Sequence, residues 1–183
     1  MRHYTALIDT AGGRQEPKPV VVGHSFGGLI AQELLAGGHA AAAVAIDPAP
    51  IKGVKALPLS QLRSAFPVLR NPANRHRTVS LSPKQFRYAF GNAISEEESN
   101  ALHEQWTIPG PGRPLFEDAA ADFVKHSPAE VDTHLVDGGP LLLTSGSDAE
   151  FHEFEGRGHS LTIDSGWRDV ADVALAWLEK KGF

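Results

Sequence analysis

Short unbroken apolar runs alternate with stretches in which apolar residues recur every three or four positions. Pro19-Val20-Val21-Val22 is the first unbroken run and predicts a buried strand. Residues 27–35, GGLIAQELL, predict a helix that turns Leu29, Ile30 and Leu34 toward a sheet, and Gly37-Gly38 stops it. Residues 42–46, AAVAI, form a second apolar run closed by Asp47-Pro48. Strand, helix and strand in this order make a βαβ unit and imply a parallel sheet. Ahead of the unit, Tyr4, Leu7 and Ile8 sit at i, i+3, i+4 and predict a short helix over 3–10.

The pattern changes in residues 51–127, which hold little that alternates. Helix starts are readable instead. Ser82-Pro83-Lys84-Gln85 is a capping box with proline at the first helical position, and Ser95-Glu96-Glu97-Glu98 is another, with Leu102 and Trp106 one turn apart behind it. PGPGRP at 109–114 predicts a loop, and LFEDAAADFV at 115–124 returns to helix. Sheet signals resume at Pro140-Leu141-Leu142-Leu143-Thr144, with a weaker one at 151–155. The chain closes on an amphipathic helix whose apolar stripe is Val170, Val173, Ala174, Trp177 and Leu178. The expected class is α/β: a small, mainly parallel sheet flanked by helices. Residues 1–50 and 128–183 would form its core, with 51–127 as a helical insertion.

Composition narrows the function classes. The chain has 183 residues, a net charge of −5 and no long basic cluster, which argues against nucleic acid and anionic membrane as partners. There is no cysteine, so a thiol nucleophile is excluded. No apolar run approaches the roughly 20 residues that span a bilayer, and a cytoplasmic location is the default expectation. Apart from His24 and His159, the histidines are scattered at irregular spacing, so metal binding is not expected, and no cofactor is expected either.

The chemistry concentrates at GHSFGG, residues 23–28. A G-x-S-x-G turn between a strand and a helix presents its serine at the carboxyl end of the strand, where a helix N-terminus favours negative charge. Gly23 and Gly27 are expected to permit the sharp reversal. Ser25 is the candidate nucleophile, and the Phe26 N–H is the candidate oxyanion donor. A serine needs a base. His159, in EGRGHSLTID between the last sheet signal and the last helix, is the first choice, whereas His24 is expected to point away and act structurally. The base needs a carboxylate to orient it. Asp148, after the Leu-Leu-Leu run, comes first, although it also reads as a turn residue. Asp47, at the end of AVAID, comes second.

VVVGHSFGGLIAQ, AAVAIDPAP, PLLLTSG and FEGRGHSLTIDSGW together resemble the α/β-hydrolase family, in particular its capped bacterial members. The resemblance implies hydrolysis of an ester or a related bond of a small molecule, with Ser25 as nucleophile, His159 as base and 51–127 as the cap that shapes the pocket. Asp148 matches the family acid only approximately. A shortened domain of this form that serves binding or assembly is the competing expectation.

Two departures generate further expectations. The family places strands before the nucleophile strand, and a His-Gly loop on one of them supplies a second oxyanion N–H. No such loop precedes Ser25, and losing one donor typically costs ~10²–10³ in rate. Without those strands, Val20, Val21 and Val22 would form an unprotected apolar edge, predicting self-association along it. Second, only GSDAE separates Ser145 from Phe151. That spacing suits a hairpin, which would set 151–155 antiparallel and carry His159 to the wrong end of the sheet. The alternative leaves 151–155 unpaired, with the chain from Asp148 to His159 looping back over the site.

Overall fold

A computed structural model describes residues 17–54, 59–133, 139–144 and 150–183. Asp148 and the helix expected over 3–10 lie outside the described residues. Along the chain come β1 (Val20–His24), α1 (Phe26–Ala36), β2 (Ala42–Ile46), α2 (Leu59–Leu69), β3 (Thr78–Val79), α3 (Pro83–Ala89), α4 (Glu96–Trp106), β4 (Gly110–Pro111), α5 (Arg113–Ala119), β5 (Leu141–Leu143), β6 (Glu150–Phe151) and α6 (Trp167–Lys181).

The main sheet has the order β1-β2-β5-β6, and every pairing in it is parallel. β2 lies between β1 and β5, and all five of its residues are buried. A strand covered on both faces needs apolar residues throughout, and for this reason AAVAI does not alternate. On one face Ala42, Val44 and Ile46 pack with Leu142 and with Val170, Ala174 and Trp177 of α6. On the other face Ala43 packs with Ala31 and Leu35 of α1, alongside Val21 and Leu141. The sheet is thus the middle of three layers. The cluster on this face takes Ala31 and Leu35 from α1, neither of them among the predicted Leu29, Ile30 and Leu34. Leu29 turns instead to Ala49, Ala121 and Ala129.

β6 corrects the hairpin expectation. Leu142 and Leu143 pair in parallel with Glu150 and Phe151. A parallel return is short here because β5 is only three residues long. The chain steps back about one residue and sideways by one strand spacing of roughly 4.8 Å, well within the reach of six residues. Parallel pairing sends the chain after Phe151 toward the same end of the sheet as β1 and β2. Among the described residues β1 has β2 as its one partner, and Val22 there is 56% exposed.

Residues 59–127 are mainly helical. Ser82 caps α3 with the full reciprocal box, its hydroxyl accepting from the Gln85 N–H and the Gln85 side chain accepting from the Ser82 N–H. Ser95 caps α4, but the box there is half made: Glu98 Oε1 accepts from the Ser165 N–H at 2.7 Å instead. The sequence signals no strand in this stretch, yet Thr78 and Val79 pair antiparallel with Gly110 and Pro111. The helix expected at 115–124 divides into α5 and a 3₁₀ turn, Ala121–Phe123. No helix among the described residues is long and apolar enough to cross a membrane.

Candidate active site

Three strands end in a polar residue at the same edge of the sheet: Ser25 after β1, Asp47 after β2 and Thr144 after β5. Carboxyl ends of parallel strands are where such sheets bind ligands. Ser25 has φ 55° and ψ −122°, and Asp47 has φ 41°. They are the two non-glycine residues with positive φ among the described residues. Each such conformation costs roughly 1–3 kcal/mol and survives only where its surroundings over-determine it.

The surroundings do so here. The Ser25 N–H donates to the Ile46 carbonyl at 3.0 Å, and the Ser25 carbonyl accepts from the N–H groups of Gly28, Leu29 and Ala49. The Asp47 N–H donates to Thr144 Oγ1 at 2.8 Å, and the Thr144 N–H donates to the Ala45 carbonyl. Each strand end is therefore stitched to the next. A Cβ at Gly23 would sit 2.0 Å from the Gly27 carbonyl oxygen, and one at Gly28 would sit 2.8 Å from Pro48 Cβ. A Cβ at Gly27 would meet nothing within 4 Å. The glycines of close approach are thus Gly23 and Gly28, not the expected Gly23 and Gly27.

Ser25 is also the N-cap of α1, yet its side chain makes no capping hydrogen bond. A serine in this place usually accepts from the first turn; this one leaves its hydroxyl uncommitted to the helix. Phe26 opens α1, and the first N–H groups of a helix have no intrahelical acceptor.

His159 lies on the loop between β6 and α6. Its Nδ1 is 2.5 Å from Asp47 Oδ2. With a carboxylate as acceptor, Nδ1 carries the proton and Nε2 is the basic nitrogen. The ring packs against Phe90, with centroids 5.0 Å apart, and against His24 at 4.6 Å. The loop is pinned on several sides. The Ser160 N–H donates to the Phe90 carbonyl at 3.1 Å. Arg157 forms an ion pair with the fully buried Asp164 and donates to the Gly166 carbonyl. Separating such a pair typically costs about 3–5 kcal/mol, so the loop has a firm base.

The structure thus brings His159 together with Asp47, the second-choice acid, while the first choice, Asp148, lies outside the described residues. Ser25, Asp47 and His159 line one cleft of about 1940 Å³. Leu62, Phe86, Trp106, Ile108 and Leu115, all from the helical stretch, line it too. Burial, reinforced by the neighbouring His159 ring, lowers the His24 pKa to about 4 against the pull of Asp47, so that imidazole is neutral near pH 7. Asp118, also in the cleft wall, is raised to about 6 by burial and then by Asp122. Sequence reasoning missed Thr144, Phe90 and the Arg157–Asp164 pair. The last was within sight, because both charges flank His159 in the stretch that identified it. Nothing local marks Phe90.

The family model described as the alpha/beta hydrolase family matches residues 1–173. No curated protein matches the chain.

Proposed function

The chain belongs to the alpha/beta hydrolase family, and from that premise we propose that it is a serine hydrolase of carboxylic esters. Ser25 attacks the ester carbonyl, and His159 Nε2 takes the hydroxyl proton. The tetrahedral intermediate collapses to an acyl-enzyme as His159 returns that proton to the leaving alcohol. Water then repeats the sequence and releases the acid. Asp47 holds the tautomer of His159 and balances the imidazolium that forms. The Phe26 N–H, at the positive end of α1, is assigned to the developing oxyanion.

The observation that carries this reading is the 2.5 Å contact between His159 Nδ1 and Asp47 Oδ2 in the cleft that a strained Ser25 also lines. A base oriented by an acid, sharing one cleft with a serine held at a backbone cost, is the set of groups that acyl transfer uses. Residues 51–127 are assigned the role of a cap. Support comes from the apolar side chains that this stretch contributes to the cleft, which suit an ester with an uncharged, apolar part.

The test is labelling with a fluorophosphonate probe, followed by turnover of p-nitrophenyl acetate. Stoichiometric modification at Ser25, with turnover lost on modification, is expected. A folded protein that neither reacts nor turns over the ester would defeat the enzyme reading in favour of a binding module.

A further inference from the structure

The histidines look scattered along the chain, but folding gathers two of them with a carboxylate. One ligand atom from each of His24, Asp47 and His159 lies within 4.8 Å of the other two. The two rings are 4.6 Å apart, centre to centre. Nε2 of His24 is buried without a hydrogen-bond partner. Buried polar atoms are nearly always satisfied, so this nitrogen calls for an account. The Asp47–His159 hydrogen bond engages two members of the group in the resting protein, and a hydrogen bond to the His159 backbone orients the His24 ring, which leaves its Nε2 as the atom without a partner.

We propose that His24, Asp47 and His159 form a binding site for a divalent transition-metal ion of the Zn²⁺ type, and that its occupation switches hydrolysis off. Two imidazole nitrogens and one carboxylate oxygen are a donor set that zinc accepts, with a fourth position left for water. Ligand atoms around a tetrahedral zinc sit roughly 3.3 Å apart, so side-chain rotations of about an ångström would close the group around the ion. Mg²⁺ and Ca²⁺, which favour sets made of oxygen, are poor occupants.

Inhibition follows from the same atoms. A metal on Nδ1 of His159 displaces that nitrogen's proton to solvent and replaces the hydrogen bond to Asp47. A metal on Nε2 takes the lone pair that must accept the serine proton. Either way the proton relay is lost, with no redox change. The inhibition rests on the function proposed above; the binding does not.

The experiment therefore measures binding first, in a Ser25→Ala background. Zn²⁺ is titrated by calorimetry and Co²⁺ by visible absorption. One ion per chain is expected, with the absorption of a nitrogen- and oxygen-ligated Co²⁺ and no competition from Mg²⁺. His24→Gln and His159→Gln should each weaken binding by about tenfold or more, the scale seen when a metal site loses part of its shell. His159 is partly exposed and serves if the buried His24 variant fails to fold, as judged by circular dichroism. No saturable binding, or unchanged affinity in a folded variant of either histidine, would overturn the site. Turnover of the unmodified protein is then followed with Zn²⁺ and with a chelator. Chelator-reversible inhibition is expected, and stimulation would overturn the switch. Zinc binding in a protein without esterase activity would uphold the site while sinking the catalytic reading.

Discussion

The sheet layer and the helical stretch at 59–127 treat their apolar residues in opposite ways. In the sheet layer most are covered, Val22 of β1 and Phe151 of β6, on the two outer strands, being about half exposed. β2 is buried along its length, and α1 and α6 close its two faces. The helical stretch leaves Leu62, Phe66, Trp106, Ile108 and Phe123 between 47% and 89% exposed. Isolated exposed apolar residues are ordinary, but Leu62, Trp106 and Ile108 border the cleft, where contiguous apolar surface signals a ligand. The lesson concerns division of labour. On the proposed function, the groups assigned the chemistry sit where the backbone is over-determined, and those assigned to receive a substrate sit where packing is slack enough to adapt.

Substitutions on either side put that division to the test. The largest effect is expected from Ser25→Ala. Turnover should fall by about 10⁴-fold or more, as when a triad nucleophile is removed, with the melting temperature unchanged. Ser25→Gly should be as inactive but more stable, because glycine relieves the positive φ. A thermal scan in which Ser25→Gly melts lower would contradict the account of strain at the elbow.

The next effect concerns the acid. Asp47→Asn should lower kcat by about 10²–10⁴-fold, because the amide stabilises the wrong tautomer of His159. Asp148→Asn should change it less than about threefold, the scatter of a substitution that leaves the transition state untouched. The reverse ranking in a kinetic comparison would restore Asp148 as the orienting carboxylate.

Third comes the backbone of the elbow. Gly23→Ala drives a methyl into the Gly27 carbonyl and should cost about 3 kcal/mol or more in denaturant unfolding. Gly27→Ala meets open space inside α1 and should gain up to about 1 kcal/mol from helix propensity. Two equal losses would mean that both glycines of the motif are sterically required.

Much of this arrangement was legible from the chain, for identifiable reasons. The bounds of β2 follow from an uninterrupted apolar run closed by Asp47-Pro48. The turn at Ser25 is visible because a sharp reversal needs glycine whatever else surrounds it. The Ser82 box closes between neighbours three residues apart. What escaped depends on distant partners. Asp47 and Asp148 both follow a strand, and the alignment of β2 with the His159 loop is a tertiary fact. The pairing of Gly110 and Pro111 arises where Gly112 approaches the Asn74 carbonyl so closely that a Cβ would sit 2.3 Å from its oxygen. The parallel return to β6 depends on how short β5 is. Glu98 has a conventional local partner and takes Ser165 instead, which helix-capping rules cannot foresee.

On the helical side of the cleft, Ile108→Ser should raise KM several-fold for an ester with a long apolar chain, with little change in kcat. Such a split marks the loss of uniform binding rather than of transition-state contacts. An equal fall in kcat would give the helical stretch a part in the chemistry and blur the division.

The smallest effect probes the seam between the two regions. Glu33 of α1 lines a pocket of about 310 Å³ with Ser127, Pro128, Glu130 and Asp132. Burial raises its pKa from 4.5 to about 7. The folded protein therefore holds a proton that the unfolded chain has released across this window, and stability falls as pH rises through it. The half-buried carboxyl is partly screened by solvent, so its share of the fall is about 1–2 kcal/mol rather than the full shift. Glu33→Gln removes the titration. The variant and the unmodified protein should have similar stability at pH 4.5 and diverge in the variant's favour by pH 8. Asp118 titrates with the same sign in both proteins and cancels in the difference. Urea unfolding at a series of pH values reads this divergence directly. A constant offset between the two proteins at every pH would mean that Glu33 is solvated at the seam and that α1 does not seal against residues 127–132.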